Sequence, residues 1–124
     1  MNKVAYTQRK TFVKYDDEHY LLYLNEEKAT VTDQETGKSV EGFAYTGTMP
    51  DGGTMIEAKD VNDQNRRSRF IAGLIGTEYD MNDQIAILAN GTKTEQYAEE
   101  YMNYEENRGK VKAYVDELLA RPKN

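Results

Sequence analysis

The chain has 124 residues, a net charge of −6 and no cysteine. This length suits a single domain over residues 1–124 with one hydrophobic core. The acidic balance disfavours general binding to nucleic-acid phosphates, which depends on lysine and arginine. The lack of cysteine excludes disulfides, thiolate catalysis and zinc–thiolate sites. The sequence also lacks an apolar run long enough to span a membrane and an N-terminal secretory signal, so we expect a cytoplasmic protein with no membrane partner.

Residues 1–60 are predicted to be mainly strands. Turn signals separate the apolar runs, most clearly "MPDGG" at 49–53, where Pro50 fixes φ at one corner and a glycine supplies a positive φ at another. Short strands joined by tight turns favour antiparallel pairing, because parallel strands need long crossovers. The predicted strands cover residues 10–15, 19–24, 29–33, 40–47 and 54–58.

Residues 61–121 are predicted to be mainly helices, because the apolar period changes from 2 to 3.6. The first helix lies within the stretch 62–76, with Asp60 or Asn62 as its N-cap and Gly76 as the residue just beyond its end. A short second helix, capped by Asp80 or Asn82, carries three large apolar residues: Ile85, Ile87 and Leu88.

The last predicted helix covers residues 92–119. Thr92 and Glu95 have the spacing of a capping box at its start. Gly109 predicts a bend or break near residues 107–109, because glycine in a helix interior costs about 1 kcal/mol relative to alanine. The predicted fold is therefore α+β: an N-terminal antiparallel meander of four to five strands, covered on one face by about three C-terminal helices.

The last helix also predicts a candidate partner surface. Its tyrosines and aliphatic residues fall at intervals of four and three, the spacing of a coiled-coil seam, interrupted by Arg108. Burial of Arg108 in this seam would require a helix bend or an acid across an interface. We therefore expect a protein partner or self-association. The candidate surface, including two aromatic residues of the strand at 40–47, comprises Phe43, Tyr45, Tyr97, Tyr101, Tyr104 and Arg108.

A cluster of three arginines gives an alternative function. Arg66, Arg67 and Arg69 form a candidate anion contact, which a nucleic-acid-associated regulator would use. Asp63 stands three and four residues before the first two, the spacing of helical ion pairs, so the cluster is also typical of an ordinary helix flank. The acidic remainder disfavours nucleic acid, and a further alternative is an acidic decoy of a DNA-binding protein.

The sequence predicts no catalytic residue, metal site or cofactor. His19 is the only histidine and has no second histidine or cysteine as a co-ligand. The neighbouring acids at 16–18 lack the spacing of a calcium loop and are typical of a solvated turn. We therefore expect a non-enzymatic interaction or accessory protein.

Three stretches carry a resemblance: "GTMPDGGTMIEA", "FIAGLIGTEYDMNDQIAILANG" and "EQYAEEYMNYEENRGKVKAYV". Together they cover about two-thirds of the chain. In these stretches the chain resembles small bacterial proteins of phage-like or mobile-element origin that have no settled function. None of the stretches is a catalytic signature, so the resemblance implies a genomic setting rather than an activity.

Overall fold

The computed structural model of the protein describes residues 1–122. Within that range the chain forms six strands followed by three helices. The strands are β1 (Asn2–Tyr6), β2 (Phe12–Asp16), β3 (His19–Leu22), β4 (Glu27–Thr32), β5 (Ser39–Gly47) and β6 (Thr54–Glu57). The helices are α1 (Arg66–Gly76), α2 (Met81–Asn90) and α3 (Glu95–Ala120).

The α+β class is confirmed, but the strands form two three-stranded antiparallel sheets instead of one meander. Their orders are β1-β5-β4 and β2-β3-β6. The chain leaves the second sheet after β3 through Asn25, which has a φ of 56°, and returns to it only at β6. The sheets meet where the Thr46 amide donates to the Leu24 carbonyl at 3.2 Å. Strand β1 was not predicted; it pairs along β5, with Val4 opposite Tyr45.

Of the three predicted N-caps, two are corrected and one is confirmed. Asn65 is the N-cap of α1, and the Asn62 side chain accepts from the Asn65 amide within the preceding turn. Thr94, rather than Thr92, caps α3 by accepting from the Tyr97 amide. Of the two N-caps predicted for α2, Asp80 is the one observed, in a capping box with Asp83.

Two glycine predictions are also corrected. Gly76 is the last residue of α1 rather than the residue beyond it, and Thr77 closes the helix. Helix α3 runs without a break through Gly109. The packing of Val111 and Val115 into the core fixes the helix beyond the glycine, and this packing outweighs the low helix propensity of one residue.

Strand β3 lies between two apolar clusters because its side chains alternate in direction. Leu22 points to the larger cluster, which β6, α1 and α3 complete. Leu21 and Tyr23 point the other way, against Tyr45 of the first sheet. The helices therefore cover one face of the second sheet, and the tyrosines join the two sheets. The fully buried residues that centre this packing are Leu22, Tyr45, Ile56, Phe70, Val115 and Leu118.

Arg121 fixes the C-terminal end of α3 to both sheets. Its side chain is 2% exposed, and its guanidinium donates to the Tyr23 carbonyl at 2.6 Å and the Lys10 carbonyl at 3.0 Å. The same group bonds the Glu117 carboxylate at 2.6 Å and lies 3.5 Å from Glu26. A charge buried this fully is stable only because it is paired and hydrogen-bonded.

Glu26 is the acid at the centre of this buried network. It accepts hydrogen bonds from Arg9 at 2.6 Å and from the Tyr45 hydroxyl at 2.8 Å. Burial raises the pKa of Glu26, but the bonds from Arg9 and Tyr45 and the charge of Arg121 outweigh burial, so its pKa lies below the ordinary value. Burial raises the pKa of Tyr45 to about 12. Glu26 is therefore ionised and Tyr45 neutral at neutral pH.

Candidate interaction surface

Helix α2 exposes three large apolar side chains on one face. Met81, Ile85 and Leu88 are 68%, 58% and 52% exposed, and their spacing of four and three residues places them on one side of the helix. We call them the α2 stripe. None of the α2 residues is buried. A contiguous exposed apolar face on a small acidic protein is typical of a contact surface.

Ile87 and Gln84 hold α2 in place. Ile87 packs against the main core. Gln84 donates to the Tyr79 carbonyl at 3.0 Å and accepts from the Tyr104 hydroxyl at 2.7 Å. These contacts orient α2 so that the α2 stripe points away from the protein. The sequence analysis assigned Ile85, Ile87 and Leu88 to one helix without distinguishing its faces. The spacing of Met81, Ile85 and Leu88 was the signal that could have separated the exposed face from Ile87.

The α2 stripe lies in the most acidic part of the chain. Residues 78–106 contain eight acids and one lysine, a net charge of −7, whereas the rest of the chain contains 14 acids and 15 bases. We call residues 78–106 the acidic segment. Because all of the net negative charge is concentrated there, its potential attracts cations to the same region that exposes apolar side chains.

The three tyrosines predicted for the partner surface differ in exposure. Tyr97 and Tyr101 are half-buried. Tyr104 is 3% exposed, with its ring 5.1 Å from that of Tyr79 in an edge-to-face arrangement. Tyr104 therefore fixes α2 and α3 together and offers a partner almost no surface.

Arg108 needs neither a helix bend nor an acid across an interface. It bonds Glu105 of its own helix at 3.1 Å and lies 5.7 Å from the Tyr104 ring centroid, with 35% of its side chain exposed. Arg108 therefore has its charge partner and its ring contact within its own helix.

Of the two strand residues of the predicted surface, Tyr45 is buried and Phe43 is half-buried. Tyr45 has no exposed surface, which removes it from any partner surface: its ring packs between the sheets, 5.7 Å from that of Tyr23. Phe43 is half-buried and lies beneath the guanidinium of Arg9 at 5.5 Å.

The three clustered arginines have separate local roles. Arg66 pairs with Asp63 at 2.9 Å, as the spacing predicted. Arg67 instead pairs with Asp116 of α3 at 2.7 Å, and this bond lowers the pKa of Asp116. Arg69 is exposed, and its side chain makes no ion pair or hydrogen bond with any of residues 1–122. It borders a shallow depression that His19 and Glu57 also line.

A groove of about 790 Å³ runs between the second sheet, the end of α1 and the middle of α3. Its apolar lining includes Leu24, Leu74 and Val111, and two tyrosines, Tyr79 and Tyr114, also line it. Its volume falls within the range of small-molecule pockets. The polar lining on its helical side includes Glu78, Glu106, Asn107 and Lys110.

The carboxylates of the described residues do not gather into a metal centre. No group of three or more histidine and acidic side chains in residues 1–122 could hold a metal ion. His19 lies 2.8 Å from Asp16 at the β2–β3 turn. None of the helices in this range is long and apolar enough to cross a membrane.

Comparison with known proteins adds no relative: no family model, curated protein or solved structure matches the chain.

Proposed function

We propose that this protein is a non-enzymatic interaction protein whose acidic segment binds a basic amphipathic helix of a protein partner. The observation that carries the proposal is the α2 stripe, three apolar side chains each more than half exposed within a segment of net charge −7. A partner helix with an apolar face and lysine or arginine flanks would cover the apolar side chains and neutralise the acids.

Charge favours such a partner over a second copy of the chain. Self-association through the α2 stripe would bring two segments of net charge −7 together, and like charges across an interface are unfavourable. A basic helix would instead be attracted to the acidic segment. The basic segment of a DNA-binding protein has this chemistry, so an acidic decoy is one form of the same proposal.

The nucleic-acid alternative has weaker support. It requires a basic surface, and two of the three arginines are paired with Asp63 and Asp116. Arg69 alone would contribute roughly one phosphate contact, too few for strong binding. The phage-like or mobile-element origin also stays a proposal, supported by the sequence resemblance.

The test uses a synthetic amphipathic helix of leucine and lysine as the probe. Its control is a peptide with the same leucine pattern and glutamate in place of lysine. We expect the lysine peptide to bind in fluorescence anisotropy and to bind more weakly as salt rises. The glutamate peptide should not bind.

Variants locate the contact. Because Ile85 and Leu88 are exposed, the double change I85Q/L88Q should weaken the lysine peptide at least about tenfold without lowering the melting temperature. Val13, an exposed apolar residue of β2, provides the matched control V13Q. Binding that is equally strong in the double variant, or equally strong for both peptides, would refute the proposal.

A further inference from the structure

One long stretch of the chain contributes a single residue to the buried core. Between Ile75 of α1 and Val111 of α3, a part of the chain that the structure describes throughout, Tyr104 is the only buried residue. The acidic segment lies within this stretch. Because local stability depends on buried apolar contacts, the acidic segment should open at a lower free energy than the sheets and the rest of α3.

Few contacts hold the acidic segment closed. Among residues 1–122, one hydrogen bond joins α2 to α3: the Tyr104 hydroxyl donates to Gln84 at 2.7 Å. The Tyr104 ring also packs edge-to-face against Tyr79, and Ile87 packs against the core. In the same range α2 forms no ion pair. Tyr104 therefore carries most of the contact between the two helices.

Helix length and charge both favour opening. Helix α2 has ten residues, and an isolated helix shorter than about 12–15 residues is only marginally stable in water. Once α2 leaves α3, it should therefore lose its helical structure. The acidic segment also contains eight acids and one lysine, and the repulsion among these like charges acts against its compact form.

The packing at each end sets the limits of the part that opens. Ile75, at the end of α1, is buried in the core, as are Val111 and Val115 in the second half of α3. Gly109 lies between Tyr104 and Val111, and its low helix propensity makes it the weakest point of α3. Helix α3 should therefore separate into an opening half and a fixed half near Gly109.

We propose that the acidic segment is a lid, which opens as one unit while the sheets, α1 and the part of α3 after Gly109 stay folded. Tyr104 is the latch of this lid, because it makes both the hydrogen bond to Gln84 and the ring contact with Tyr79. In the open form Tyr79, Ile87 and Tyr104 become accessible, so opening enlarges the apolar surface that the α2 stripe offers. The opening is a property of the free protein and needs no partner.

Amide hydrogen exchange of the free protein, followed by NMR, tests the lid. We expect the hydrogen-bonded amides of α2, and of α3 before residue 104, to share one opening free energy. Their protection factors should be at least about tenfold lower than those of residues 111–118. Equal protection in the two regions would overturn the proposal, because the acidic segment would then open only when the whole protein unfolds.

Two tyrosine-to-phenylalanine variants separate opening of the lid from global unfolding. Y104F removes the hydroxyl bonded to Gln84 and should lower protection throughout the acidic segment about fivefold. The matched control Y23F removes a hydroxyl bonded to Asp51 at 2.8 Å. Because that bond is intact while the lid is open, Y23F should lower the protection of residues 111–118 and leave that of the acidic segment unchanged.

The same two variants can refute the proposal. If Y23F lowers protection equally in the acidic segment and in residues 111–118, the segment does not open separately. If Y104F changes only its immediate neighbours, or changes nothing, Tyr104 is not the latch of a single unit. Failure of the lysine peptide to bind would leave these exchange rates unchanged, so this proposal and the proposed function fail separately.

Discussion

Replacing Arg121 by leucine tests whether the C-terminal end of α3 holds the two sheets together. Leucine keeps an apolar stem but removes a guanidinium that is bonded to two main-chain carbonyls and to Glu117. The carbonyls of Lys10 and Tyr23 would each lose a donor, and Glu26 would lose a cation 3.5 Å away. Arg9 would still pair with Glu26, so the loss is partial.

The size of the expected loss of stability follows from the burial of Arg121. Removing one member of a buried, hydrogen-bonded charge network costs about 3–5 kcal/mol. With an unfolding entropy of about 2.1 cal/mol/K per residue, this corresponds to a fall in melting temperature of roughly 12–19 °C for a chain of 124 residues. A domain of this size has about 5–15 kcal/mol of stability in total, so the variant should fold only marginally.

Thermal and urea unfolding followed by circular dichroism measure the effect. The matched control is R108L, in which a partly exposed arginine loses a pair with Glu105 on its own helix. We expect the control to cost under about 1 kcal/mol. If R121L costs no more than R108L, the buried network is not what holds α3 against the sheets.

Three further predictions concern the same framework. The pKa of Glu26 in the folded protein is lowered from the ordinary value of 4.5. Its contribution to stability is therefore present above pH 4.5 and is lost as the pH falls through the folded pKa. Because E26Q lacks this titrating group, its urea midpoint should fall less between pH 7 and pH 3 than that of the parent. G109A should stabilise the protein by about 0.4–1 kcal/mol, because α3 is continuous there and an added Cβ meets open space; a lower melting temperature would contradict this. G73A should destabilise it by about 1–3 kcal/mol, because a Cβ at that position would lie 2.5 Å from the Glu57 carbonyl oxygen; unchanged urea unfolding would show that α1 and β6 can separate without cost.

The elements were largely predictable from sequence, and their arrangement was not. The apolar period of 2 before residue 60 located five of the strands, and the period of 3.6 after it located the three helices. This works because the apolar period reflects which side of each element is buried. The two-sheet topology depends on which distant strands pair, and the pattern within a strand contains no such information. Strand β1 has only two fairly apolar residues facing the protein, Val4 and Tyr6, so its pairing with β5 gave no local signal.

The pairing of charged residues also depends on distant parts of the chain, which the sequence does not identify. Sequence spacing identified the pair of Arg66 with Asp63, three residues away. It assigned Arg67 to the same acid, whereas the partner is Asp116, 49 residues further along the chain. For the partner surface, sequence could identify apolar faces but not which face the fold covers. Tyr45 is therefore buried, and the α2 stripe, which no strand or helix covers among residues 1–122, was not anticipated.

Helix α3 differs in burial and charge on the two sides of Gly109. Its C-terminal half supplies the core residues Val111, Val115 and Leu118, and Arg121 fixes its end. Its N-terminal half lies within the acidic segment and buries only Tyr104, so stability gains little from its other side chains. Substitutions of the exposed residues before residue 109, Tyr104 excepted, should therefore change binding to a basic partner with little effect on unfolding, and substitutions of the core residues after it should do the reverse. This separation allows the N-terminal half to concentrate negative charge, because the repulsion among its acids acts where little of the core depends on it.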